Sequence, residues 1–275
     1  IIMVQDSDEN QPQVLPPGED HLALQEEQLK RIEDEQKAMP LVGDKIPFGI
    51  LVSEYDTNTS DAYYKKATEL NEVYSDIRQI RGDGNCFYRA IQVGLIEIML
   101  KDRQRLDKFH ADCKQWIECL VKLGFPDWTT SDFGDFFMDF LDNISKGKYD
   151  ENKVFENFND DNTANYLLMF LRLITSGFLK LHSDEYAPFI DEGMSVAQYC
   201  ETEIEAMWKD ADHLAINALV KATETRVRIE YMDRTAAPNG GWHYDIPSEE
   251  GMVPEITLLY RPGHYDLIYK KPEQN

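Results

Sequence analysis

Two short runs in this 275-residue chain carry side chains suited to acyl-transfer chemistry: Cys86, directly after Arg81-Gly82-Asp83-Gly84-Asn85, and His264-Tyr265-Asp266 far downstream. Cys86 falls at the first turn of a predicted helix over 86–100. Phe87, Ala90, Ile91, Leu95 and Ile98 give that stretch helical spacing, and Asn85 stands where an N-cap is wanted. Unpaired N–H groups and the helix dipole stabilise negative charge at such a position. A thiol there is favoured as the thiolate, the form that attacks carbonyls, and the amides of the 83–86 loop are placed to hold an oxyanion. The blander reading is a cysteine packed against the core, its commonest state.

His264 and Asp266 lie two residues apart on a predicted strand, so both project from one face while Tyr265, Leu267 and Tyr269 take the other. Asp266 is then able to orient the ring and present one nitrogen to a thiol. A solvated pair at a strand start is the alternative. His243-Tyr244-Asp245 repeats the same three letters, but it follows Asn239-Gly240-Gly241-Trp242 and precedes Pro247, and so reads as loop or edge. A catalytic base needs a rigid seat, which favours His264.

Other chemistry finds little support. His21, His110, His182 and His213 lack ligand spacing, and Cys113, Cys119 and Cys200 read as packing residues. None of the four cysteines forms a Cys-x-x-Cys pair, so no metal site and no cofactor is expected. Phosphate loops, serine nucleophile elbows and metalloprotease runs are missing. The formal net charge of -23 disfavours nucleic acid and anionic membranes and favours a basic partner. No stretch approaches the roughly 18 apolar residues of a membrane span. The opening Ile1-Ile2-Met3-Val4 is too short for a signal core, and the missing initiator Met reads as a trimmed chain. Few cysteines and no leader point to free thiols in a reducing compartment, the cytosol or nucleus.

The elements that must position these residues follow from patterning. Residues 1–20, rich in Gln, Pro, Asp and Glu, are expected to be disordered, and 21–38 to form a helix ended by Pro40. The apolar stripe of that helix (Leu22, Leu29, Ile32, Met39) is too thin to hold it alone in water, so it docks on the body, waits for a partner or stays a solvated helix. Helical patterns cover 61–77, 86–100, 103–123, 131–145, 163–180 and 195–221; strands are expected at 226–231, 255–260 and 264–270. Helices first and strands last predict an α+β domain, a small sheet flanked by helices, over 41–275, with 1–40 as an N-terminal arm.

The run Gly82-Asp83-Gly84-Asn85-Cys86-Phe87-Tyr88-Arg89-Ala90 resembles the nucleophile motif of the ovarian-tumour (OTU) deubiquitinases. Tyr260-Arg261-Pro262-Gly263-His264-Tyr265-Asp266 resembles the histidine motif of their otubain branch. Tyr231-Met232-Asp233-Arg234, Leu171-Arg172-Leu173-Ile174-Thr175-Ser176-Gly177 and Ser75-Asp76-Ile77-Arg78 are similar to further runs of that branch, and the likeness covers roughly 40–271. The resemblance implies a papain-like OTU fold and an isopeptidase that cleaves ubiquitin from lysine, with a preference for chains joined through lysine forty-eight. It implies Cys86 as nucleophile, His264 as acid and base, Asp266 as its orienting group and Asp83 in the oxyanion loop. It also implies a second, non-catalytic role in binding ubiquitin-charged conjugating enzymes and blocking transfer. Phe125 and Phe133 match positions on that partner surface; Tyr166, Arg172 and His213 match positions near the distal ubiquitin. Two other readings stand beside the enzyme: a binding module acting mainly through the arm, and a general papain-like peptidase, for which no papain-type cysteine signature is present.

Overall fold

The computed structural model describes residues 19–55, 61–233 and 242–272. The chain divides into two units, Ile1–Met39 and Pro40–Asn275. In the first, helix α1 (Glu19–Ala38) carries the i,i+4 pairs Glu27–Arg31 (2.7 Å) and Glu33–Lys37 (3.9 Å). Such pairs support an isolated helix by a few tenths of a kcal/mol each. Leu29 and Met39 are exposed, and Leu22 and Ile32 of the anticipated stripe lie outside the described side chains; of the disorder expected over 1–20, residues 1–18 lie outside the described residues, while Glu19 and Asp20 belong to the helix instead.

The second unit is built on a six-stranded sheet in the order β1-β2-β6-β5-β3-β4. The strands are β1 (Val42–Pro47), β2 (Tyr74–Ile80), β3 (Val227–Tyr231), β4 (His243–Ile246), β5 (Ile256–Arg261) and β6 (His264–Lys270). β3 and β5 run parallel and every other neighbouring pair is antiparallel. Alternation along the strands covers both faces. Leu258 and Leu267 join the main core, whereas their neighbours Leu259 and Ile268 join a smaller one with Phe48, just before α2 (Gly49–Ser53), Leu51 of α2 and Leu70 of α3 (Asp61–Val73).

The main core centres on α4 (Cys86–Lys101), buried without a break from Cys86 to Ile96. A helix apolar on all sides belongs inside, and α4 packs β6 on one flank and helices on the other. Those helices are α5 (Arg103–Lys122) and α8 (Asp161–Leu181); α6 (Asp127–Ser145) packs in turn on α5 and α8, and α7 (Glu151–Phe158) on α8. Acidic N-caps set the starts of three of them: Asp102 accepts from the Gln104 and Arg105 amides, Asp150 from Lys153 and Asp160 from Thr163.

Three expectations are corrected. The helix expected over 61–77 stops at Val73; Tyr74–Ile80 becomes a strand because it pairs with β1 and β6, neither adjacent in sequence, and β1 itself was not foreseen. The single helix expected over 195–221 is broken into α10 (Val196–Tyr199, after the short α9, Ser183–Tyr186), a π-helical turn Cys200–Ile204, an irregular stretch and α11 (His213–Ala222). Trp208 adopts φ 69°, which no α-helix tolerates. The Gly/Pro-rich stretch expected at 237–254 contains the edge strand β4, while 237–241 lie outside the described residues.

Candidate active site

Cys86 opens α4 and is buried, at 4% exposure for the residue. Asn85 occupies the N-cap position, but its side chain does not cap: Oδ1 accepts instead from Arg172 Nη2 at 2.6 Å, and more distantly from the Trp208 amide at 3.4 Å. The loop before it is held from two sides. The Asp83 carboxylate takes both Nη groups of buried Arg89 at 2.8 Å each and the Asn85 amide at 3.0 Å. Gly84 has φ 79°, and a Cβ there collides with the Trp208 carbonyl. Only glycine satisfies both conditions.

His264 begins β6. Its Nε2 meets Asp266 Oδ1 at 2.8 Å, which leaves Nδ1 on the side of Gly82, and Cys86 interacts with the ring. A Cβ at Gly82 stands only 3.3 Å from that nitrogen, so the ring is seated against bare backbone. Burial disfavours the imidazolium, yet the hydrogen bonds and negative charge of Asp266 and Cys86 outweigh it and raise the ring to about 9. Asp266 is fully buried. Burial pushes its pKa up, but His264, Arg261 and the Ile80 amide together hold it below the usual carboxylate value. The thiol, imidazole and carboxylate thus form one connected line from α4 to β6. The competing His243 sits on the edge strand β4, separated from β6 by β3 and β5, with its neighbour Asp245 held by Arg228 through two 2.8 Å contacts. The other thiols are poorly suited to attack: burial raises Cys113 and Cys119, and lifts Cys200 to about 11.

Beyond Cys86 opens a cavity of about 300 Å³ lined by Asp210, Asp212, His213, Tyr231, Tyr260 and Tyr265. The Asp212 carboxylate is committed, capping α11 at Ala215 and accepting from Tyr199 Oη at 2.6 Å. Asp210 is exposed and remains the carboxylate available to an arriving cation. His213, matched to a ubiquitin position, lies at the rim against Tyr244. Tyr166, matched to the same partner, instead packs at a tilt against Phe133 (5.0 Å between ring centres) and Phe136 (5.2 Å), merging two expected surfaces into one aromatic patch. Phe125 is 8% exposed beneath Lys180, and so offers almost nothing to a partner. On the same stretch Trp128 is exposed, a residue that its hydrophobic type marks only once the neighbouring aromatics prove buried.

Arg172 is reassigned most clearly. It is fully buried, stacks on Tyr88 at 4.1 Å and donates to Gly84 O (3.1 Å), Asn85 Oδ1 (2.6 Å), Ile204 O (3.0 Å) and Lys209 O (2.8 Å). With no surface to present to ubiquitin, it ties the loop before Cys86 to the segment leading into the cleft wall. Among the described residues no group of three or more His, Cys, Asp or Glu side chains is arranged to hold a metal ion.

A thiol at a buried helix start, beside an imidazole and a carboxylate on an adjoining sheet, is the arrangement that cysteine hydrolases use. The family model described as Peptidase C65 Otubain matches residues 34–270, nearly the whole second unit. The chain belongs to the otubain family of cysteine-type deubiquitinases. It is 69% identical to a ubiquitin thioesterase otubain-like protein of Caenorhabditis elegans, over 92% of this chain and 89% of that protein. It is 39% identical to ubiquitin thioesterase OTUB1 of Homo sapiens, over 84% and 83% respectively. Among solved structures it resembles ceOTUB1 in a complex with ubiquitin aldehyde and UBC13~Ub, with TM-score 0.86, 70% identity, and coverage of 90% of this chain and 100% of that one.

Proposed function

We propose that this protein hydrolyses ubiquitin–lysine isopeptide bonds, preferring chains joined through lysine forty-eight, with Cys86, His264 and Asp266 carrying the reaction. The observation that carries it is the Cys86–His264–Asp266 line opening onto a cleft with an exposed carboxylate at Asp210. The Cys86 sulfur attacks the terminal glycine carbonyl. Loop and helix-start amides of Gly84 and Cys86 receive the oxyanion, since the Asn85 amide is already bonded to Asp83. His264 protonates the departing lysine amine, leaving a thioester; it then takes a proton from water, which releases ubiquitin. Asp83 serves the loop through Arg89 and touches no reacting atom. The arginine-bearing tail of ubiquitin suits Asp210 and the overall negative charge. No cofactor enters these steps.

The experiment is a panel of di-ubiquitins of different linkages with wild-type and Cys86→Ala protein. Cleavage by wild type, fastest for lysine-forty-eight linkage, and none by Cys86→Ala is expected; cleavage retained in Cys86→Ala removes Cys86 from the mechanism.

A second reading has its own support: solved structures of relatives pair them with UBC13~Ub and UBCH5B~Ub. We assign the same kind of partner to the patch of Phe133, Phe136 and Tyr166 with Trp128, acting with the arm to block ubiquitin transfer. Residence in the cytosol or nucleus belongs to this reading and is checked by imaging a fluorescent fusion.

A further inference from the structure

Asp266 is a fully buried carboxylate with three donors and two oxygens. Oδ1 accepts from His264 Nε2 at 2.8 Å and from the Ile80 amide of β2 at 2.9 Å. Oδ2 accepts from Arg261 Nη2 at 2.7 Å, the shortest of the three. Arg261 ends β5, and its other contacts run to Glu54 Oε2 and Tyr55 Oη (3.4 Å each), just after α2. Tyr55 is itself stacked on Tyr63 at 5.6 Å. A permanent cation is therefore held against the oxygen that His264 does not use.

Catalysis needs His264 to release a proton to the leaving amine and then, as the neutral ring, to take one from water. A buried carboxylate paired with the imidazole alone holds the imidazolium tightly, because releasing the proton strands an unpaired buried anion. Arg261 removes that difficulty by keeping the carboxylate paired in both states of the ring. Resting on the reading that Cys86 and His264 carry the reaction, we propose that Arg261 is a positioning residue that fixes Asp266 and keeps the neutral form of His264 within reach.

Among the described residues, the charged and titratable groups around this line are the following, with Asp212, His213, Tyr231 and Tyr260 further along the cleft wall. Cys86 faces His264 from α4; Glu54 and Tyr55 face Arg261 from beyond α2; the Asp83–Arg89 pair lies in the nucleophile loop; Asp210 and Tyr265 border the cleft. Of these, Arg261 alone touches the carboxylate besides His264.

The test measures the alkaline limb of kcat/KM for lysine-forty-eight di-ubiquitin, together with an NMR titration of the His264 Cε1 proton assigned by His264→Gln. Arg261→Gln moves both upward by about two units, the order expected of a unit charge about 6 Å away at an effective dielectric of about 20. At neutral pH its kcat falls several-fold with KM nearly unchanged, and the ubiquitin–Cys86 thioester accumulates because deacylation needs the neutral ring. Arg261→Lys, which keeps the charge, restores the limb to near its wild-type position. Glu54→Gln, at an exposed residue that leaves the fold intact, shifts the limb the other way by a few tenths of a unit. Limbs that stay put in Arg261→Gln overturn the proposal; so does an upward or absent shift in Glu54→Gln, which decides the matter even where Arg261→Gln does not fold. Cys86→Ala runs alongside: cleavage by that variant defeats the catalytic reading, while the NMR titration still judges Arg261.

Discussion

At the residue scale the site is a set of charges held in one order, and its pH behaviour follows. His264 titrates at about 9 in the folded protein against a usual 6.5. A raised folded value contributes stability that is fully present below pH 6.5 and is lost as pH rises through 9. The urea midpoint should therefore decline across that window, and His264→Gln should flatten the decline; an equal slope in both proteins contradicts the assignment. Asp266→Asn leaves a neutral acceptor beside the ring, so the ring's pKa falls and cleavage at neutral pH drops by orders of magnitude. Gly84→Ala meets both a positive φ and the Trp208 carbonyl. It is expected to cost about 1–3 kcal/mol of stability and most of the cleavage rate, read by thermal unfolding and di-ubiquitin hydrolysis. The places of Cys86, His264 and Asp266 were legible because each stands at the start of an element whose periodicity is plain. The roles of Arg89, Arg172 and Arg261 were not, since a buried arginine looks in sequence like any surface cation until its acceptors are known.

At the element scale, helix α4 and strands β3, β5 and β6 match their patterns because their apolar periodicity agrees with where they are buried. The misreadings share a cause. β2 looked like the tail of a helix, and partners more than 180 residues downstream in β6 made it a strand. The stretch after Cys200 looked like one helix, but Arg172 takes the carbonyls of Ile204 and Lys209, which helical hydrogen bonds would otherwise occupy. The consequence is measurable: Arg172→Met strands four acceptors around the nucleophile loop and should destabilise the protein by about 3 kcal/mol or more. Arg172→Lys, unable to reach all four, should fall between. Loss of ubiquitin binding in Arg172→Lys without loss of stability would restore the arginine to a surface role.

At the scale of the whole molecule, the arm and the body are separate units and should separate in function. Deleting residues 1–39 is expected to leave di-ubiquitin cleavage within a few-fold of wild type while weakening the block of ubiquitin transfer, and retained blocking defeats the role given to the arm. The net charge of -23 predicts that added salt slows association with ubiquitin-charged partners more than it slows their release, measurable by stopped flow. The helix opening at Cys86, the His–Asp strand, the α+β class and the family could all be read from sequence, because local periodicity and short motifs are written in adjacent residues. That Phe125 and Arg172 are interior, that Phe133 and Tyr166 share one patch, and that Arg261 closes on Asp266 emerge from the folded arrangement alone. Those facts depend on which distant groups become neighbours when the chain excludes water, and burial of a charge is settled by its partners rather than by its own identity.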